Sequence, residues 1–156
     1  MVISSAEQRL QELGIELPHA PTPLGAYVMA VQTGRLLFLT GMLSTVGHEV
    51  AYRGRLGAEL DAEDCGRAAR VAALNVLAVA RAQLGSLDNI TRVVRLTVFI
   101  ATAGEPTDLP RIADGASEVL RDVLGPETMS ARTVIGVASL PLNVPIELEA
   151  ILEVQP

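Results

Sequence analysis

The stretch from Ala131 to Val154, ARTVIGVASLPLNVPIELEAILEV, constrains the fold more than any other part of the chain. It holds two runs of strand-forming residues, broken at Ser139-Leu140-Pro141. In the second run Ile146, Leu148 and Ala150 alternate with Glu147 and Glu149. That period sorts side chains onto the two faces of a strand. The first run carries little charge, yet opens at Arg132. A planar guanidinium and a carboxylate on adjacent strands would grip a small acid and activate a water beside it. The expected site therefore rests on Arg132 and Glu147.

Composition excludes most alternatives. A chain of 156 residues fits a single domain, 1–156, with no room for a second of ordinary size. Such a chain buries roughly 70% of its unfolded surface, so its core needs no disulfide or structural metal. Cys65 is the only cysteine, and His19 and His48 are the only histidines. Disulfide frameworks, cysteine-based metal sites and most zinc, non-haem iron and Ser-His-Asp schemes are thereby excluded. There is no phosphate loop, dinucleotide fingerprint or nucleophile elbow, so no cofactor and no metal is expected. The net charge of −6 argues against a nucleic-acid partner, because phosphates demand a basic surface. The start, MVISSAEQRL, has no basic leader with an apolar stretch, and no apolar run approaches membrane-spanning length. A cytoplasmic protein with no membrane partner is expected.

Local signals place the elements. Ser4 and Glu7 have the spacing of a capping box, predicting a short helix with Ala6, Leu10 and Leu13 on one face, ending at Gly14. Three prolines make residues 17–23 a loop. Tyr27 to Val31 and Arg35 to Thr40 read as a hairpin around Thr33-Gly34, and Glu49 to Tyr52 as a weaker strand. Asp61 to Leu84 is the clearest helix, capped by Asp61 and followed by Gly85. A strand over Thr91–Ile100 and a helix over Asp108–Leu124 precede the two final strands. This order predicts an α+β fold, one mixed sheet with two long helices on one face. Both sheet faces look apolar: Leu36 and Phe38 oppose Leu37 and Leu39, while Val94, Leu96 and Val98 oppose Val93 and Phe99. Two helices cover one face, so a homo-oligomer is expected to cover the other.

Further positions stand out. Tyr27 opens the first predicted strand and reads equally as a core ring. Thr40-Gly41-Met42 ends the second strand with a glycine, which permits either a bend or a close approach to a ligand. Gly115, inside a helix, marks close packing or a ligand contact. Cys65 reads as a small buried hydrophobe.

Together these residues resemble the Rid (reactive intermediate deaminase, YjgF-like) family from about Pro21 to Val154. The resemblance rests on Tyr27, Thr40-Gly41, the glycine-bearing second helix and, above all, the C-terminus. There Arg132 is followed by Val137-Ala138-Ser139-Leu140-Pro141 and Ile146-Glu147-Leu148-Glu149-Ala150. The N-terminal helix and loop, residues 1–20, fall outside it. It implies a chorismate-mutase-like fold and a homotrimer with clefts between subunits. It also implies cofactor-free hydrolysis of 2-enamine and 2-imine acids of the 2-aminoacrylate type to 2-oxo acids and ammonia. By the same resemblance Arg132 binds the substrate carboxylate, Glu147 directs water, and Tyr27, Thr40, Gly41 and Asp114 line the pocket. This chain departs from the family at Met42 for glutamine, Asp114 for asparagine and Val134 for cysteine. Those departures open a second reading, a non-catalytic 2-oxo acid binding protein. Ribonuclease and chorismate mutase activities fit the acidic charge and the single cleft arginine less well.

Overall fold

The computed structural model describes residues 4–156, so the Met1–Ile3 start of the segment read as leaderless lies outside the described residues. Eight strands and three α-helices follow in the order α1 (Ala6–Glu12), β1 (Ala30–Thr33), β2 (Leu36–Leu39), β3 (Met42–Leu43), β4 (Thr45–Val46), β5 (Glu49–Val50), α2 (Ala62–Leu84), β6 (Ile90–Ala101), α3 (Leu109–Leu124), β7 (Ala131–Val137) and β8 (Ile146–Val154). The main sheet runs β1-β2-β8-β6-β7, with β3 also paired to β8; β4 and β5 form a separate small hairpin. Only β6 and β7 are parallel, joined by α3 as a crossover helix. The sheet is mixed and the fold is α+β, as expected. None of the described helices is long and apolar enough to cross a membrane.

The long β8 explains the core. Ile146, Leu148, Ala150, Leu152 and Val154 are buried on one face, where they meet α2 and α3. On β6, Val93, Leu96, Val98 and Ile100 join them. The expected alternation of Val93 and Val94 fails. A bulge between Val93 and Arg95 shifts the register, so Val93 is buried and Val94 exposed. The opposite face has no helix over it. Val31 pairs with Phe38, Phe38 with Ile151, and Val31, Phe38 and Ile135 are exposed.

The helix caps follow local chemistry. The Asp61 carboxylate accepts from the Asp64 N–H at 2.9 Å, and Gly85 closes α2 in the left-handed conformation at φ 81°. The box on α1 is shifted by one residue from expectation: Ser5 and Gln8 form it. Glu7 is engaged elsewhere, accepting from the Leu87 N–H at 3.0 Å and lying 3.5 Å from Arg81. Leu13 is the C-cap of α1 and is exposed, not part of its apolar face. Arg9 ties α1 down by donating to the Val123 and Leu124 carbonyls, each at 2.7 Å. Those carbonyls end α3 and have no partner within the helix.

Alanines dominate the contact between α2 and α3: Ala68, Ala69, Ala72 and Ala73 on one side, Ala113 and Ala116 on the other, all fully buried. Gly115 is where the helices come closest. A Cβ there would fall on the backbone of Gly66, whose carbonyl belongs to α2 and cannot swing aside. Gly115 is thus a packing glycine. G115A should cost about 1–3 kcal/mol, lowering Tm by roughly 2–12 °C. Thermal denaturation checks this, and an unchanged Tm would mean that the crossing has slack.

Candidate active site

Glu147 lies on β8 opposite Phe99 and beside Leu43, on the sheet face away from the helices. It is half-buried there. Its carboxylate occupies the space that a side chain at Gly41 would fill. The glycine thus admits the acid in the gap between β2 and β3. Burial raises the Glu147 pKa above the ordinary carboxylate value, and the charge of Glu149 adds to it.

Glu147 forms part of the wall of a cavity of about 390 Å³. Tyr27, Thr40 and Gly41 line it too, so four of the six expected site residues meet in one hollow. Tyr27 reaches it from a loop and not from a strand. Its hydroxyl accepts from the Leu24 N–H at 2.9 Å, folding residues 24–27 into a compact turn ahead of β1. The rest of the wall includes Met42, which the sequence had singled out, and Met29, His48, Pro141 and Leu142, which sequence reasoning did not place there. His48 sits in the β4–β5 turn beside Gly47, at φ 62°. The one available signal was that glycine turn between two short apolar-polar pairs.

The wall is held from behind by a buried amide. Asn75 on α2 donates to the Leu43 and Thr45 carbonyls at 2.9 and 2.8 Å. It fixes the strip from β3 to β4 against the helix layer. An asparagine in an apolar helix face gave no sequence cue to that role.

Arg132 and Asp114 are elsewhere. The expectation of adjacent strands fails, because β6 runs between β7 and β8. Register settles the faces. Arg132, Leu96 and Ala150 share one row, while Ile135, Phe99 and Glu147 share another of opposite parity. Arg132 therefore points to the helix side and Glu147 to the open side, their Cα atoms roughly 14 Å apart by two strand spacings and three residues of rise. Arg132 donates to the Asp114 carboxylate at 2.8 Å, the Ser117 hydroxyl at 3.0 Å and the Pro110 carbonyl at 3.2 Å. These contacts leave part of the guanidinium fork free at the sheet edge. Within one chain, then, cation and carboxylate stand apart on opposite faces of the sheet.

Cys65 on α2 is fully buried, and desolvation pushes its thiol up to about 11, so it is no nucleophile at neutral pH.

Residues 7–152 match the family model described as "YjgF/chorismate mutase-like, putative endoribonuclease". Over 145 residues the chain is 39% identical to Protein TCP17 of Trypanosoma cruzi, spanning 92% of this chain and 91% of that protein. It is 30% identical over 141 residues to a 2-iminobutanoate/2-iminopropanoate deaminase of Dermatophagoides farinae, spanning 90% and 95%. Among solved structures it resembles Atu1372 of Agrobacterium tumefaciens, a protein of unknown function. That likeness has a TM-score of 0.88 at 37% identity and covers 96% of this chain and 92% of that one.

The raised Glu147 pKa has a consequence for stability. The native state keeps this proton to higher pH than the unfolded chain, so ionising Glu147 opposes folding. Stability falls as pH rises from the ordinary glutamate value through the raised one. E147Q lacks that term, so its Tm relative to wild type should be higher at pH 8 than at pH 4. An equal difference at both pH values would place Glu147 in ordinary solvent.

Proposed function

Since the chain belongs to the YjgF/chorismate mutase-like family, we propose that it hydrolyses 2-imino acids to 2-oxo acids and ammonia, in a cleft between subunits of a homotrimer. The observation that carries this reading is the separation of two complementary half-sites. A carboxylate of raised pKa faces a cavity without a cation, and a guanidinium with free donors stands at the sheet edge. Neither half alone can hold and hydrolyse an imino acid. A second copy packed on the uncovered sheet face would bury Val31, Phe38 and Ile135 and could bring its Arg132 to this chain's Glu147. The relationship to the Dermatophagoides farinae deaminase supports the chemistry.

The reaction follows from the groups available. All twelve basic side chains are arginines, so no lysine amine exists to form a Schiff base with a carbonyl. Water must attack directly. Arg132 holds the substrate carboxylate, which fixes C2 of the protonated imine over Glu147. Glu147 takes a proton from water as the oxygen adds to C2. It then returns that proton to the nitrogen and takes the hydroxyl proton as the C–N bond breaks, so a 2-oxo acid and ammonia leave, and the proton on Glu147 passes to the ammonia to give ammonium. A carboxylate whose pKa is raised by burial holds a proton more readily than an ordinary one, which suits the return step.

The endoribonuclease part of the family description draws no support from the charge. The chain carries −6, and none of the described cavity residues is lysine or arginine. A binding-protein reading stands beside it, because Met42, Asp114 and Val134 replace the residues that the family resemblance implies at those positions.

Kinetics separate the two readings. With 2-aminoacrylate generated by a coupled enzyme, R132A should lose about 2–4 kcal/mol of transition-state stabilisation, roughly 30- to 1,000-fold in rate. Unchanged acceleration by R132A would refute the anchor. D114N should tighten 2-oxo acid binding by up to about fivefold, the ~1 kcal/mol scale of a partly exposed ion pair. Weaker binding by D114N in calorimetry would mean that Asp114 positions the arginine and does not compete with the ligand.

A further inference from the structure

The cavity beside Glu147 offers more room and more apolar wall than the smallest imino acids need. A cavity of about 150 Å³ suffices for benzene, which has as many non-hydrogen atoms as 2-iminopropanoate. Here the volume is about 390 Å³, inside the range of about 300–1,000 Å³ that accommodates far larger ligands. Its polar lining includes Tyr27, Thr40, His48 and Glu147, and Leu24, Met29 and Leu142 add apolar wall.

The backbone at the rim is built to hold that apolar wall. Leu142 and Asn143 both adopt left-handed conformations, at φ 57° and 58°. For leucine this conformation is strained, and it persists only where the surroundings over-determine it. Two hydrogen bonds do so: the Gly54 N–H donates to the Asn143 carbonyl at 2.8 Å, and Arg53 donates to the Leu142 carbonyl at 3.3 Å. Leu142 nevertheless remains 46% exposed, lining the cavity and burying little of itself in the core. A strained, exposed leucine gains nothing for the isolated subunit. Its side chain needs an apolar partner.

We infer that this site takes 2-imino acids with large apolar side chains, branched or aromatic, and that Leu142 is a specificity-determining residue contacting that side chain. The inference rests on the deaminase reading above and adds the substrate class to it. Carboxylate and imine sit at Arg132 and Glu147, while the side chain lies against Leu24 and Leu142.

The test supplies imines from L-alanine, L-leucine and L-phenylalanine with an L-amino acid oxidase and catalase, and follows their hydrolysis. Expected is a kcat/KM for the leucine- and phenylalanine-derived imines at least about tenfold above the alanine-derived one, the scale of a few methylenes in an apolar pocket. Equal values, or a preference for the alanine-derived imine, would overturn the inference. L142G removes the side chain and fits the left-handed backbone without strain. It should lower the leucine-derived kcat/KM by about tenfold and narrow the ratio; an unchanged ratio would remove Leu142 from the role. Calorimetry with 4-methyl-2-oxopentanoate and pyruvate separates the two levels. If no imine is hydrolysed faster but the branched acid binds more tightly, the deaminase reading fails and the cavity preference stands. If the two acids bind equally, the preference falls.

Discussion

The alternation along β8 is the constraint on which everything else rests. Its apolar residues are locked beneath α2 and α3, and β2, β3 and β6 pair with it on both sides. A slip of one residue would exchange faces, burying Glu147 and Glu149 and exposing five core side chains. The register is therefore fixed by burial, and with it the position of one carboxylate. Glu147 can neither retreat into the core nor reach open water. It is held against Gly41 at the edge of a hollow, next to another acid. Ionising such a group opposes folding.

The helical layer places the complementary group by the opposite parity. Arg132 shares its row with Leu96 and Ala150, so it belongs to the helix side and finds Asp114 and Ser117 on α3. The glycine crossing of α2 and α3 sets the height of that helix over β7. Thus the packing that stabilises the subunit also divides the chemistry between two surfaces. An uncovered sheet face with exposed Val31, Phe38 and Ile135 offers the means of reuniting them. Stability and function are coupled through assembly on this account, not through any loop that closes.

Signals confined to one segment were legible. Asp61, Gly85 and Gly125 bracket the long helices because capping is local chemistry, and the period in β8 gave its faces directly. The fold class followed from element order. What failed depended on distant residues. Insertion of β6 between β7 and β8 is a tertiary choice, invisible in a segment where the last two strands follow one another. The bulge between Val93 and Arg95 interrupts an alternation that the letters alone continue. Ser4 and Glu7 matched a capping box, but Glu7 is claimed by residues some eighty positions away, and Ser5 takes its neighbour's place. Tyr27, Thr40, Gly41 and Glu147 line one cavity, and His48 and Leu142 join them through turns whose direction no pattern encodes.

The central claim is that one productive site needs Arg132 from one chain and Glu147 from another. Subunit mixing measures this directly: R132A and E147Q proteins, each impaired alone, are dissociated together, reassembled and assayed for imine hydrolysis. Mixed assemblies should regain a substantial fraction of wild-type activity, because some clefts unite an intact arginine with an intact glutamate. Mixtures as impaired as their components, with subunit exchange verified, would contradict a shared site.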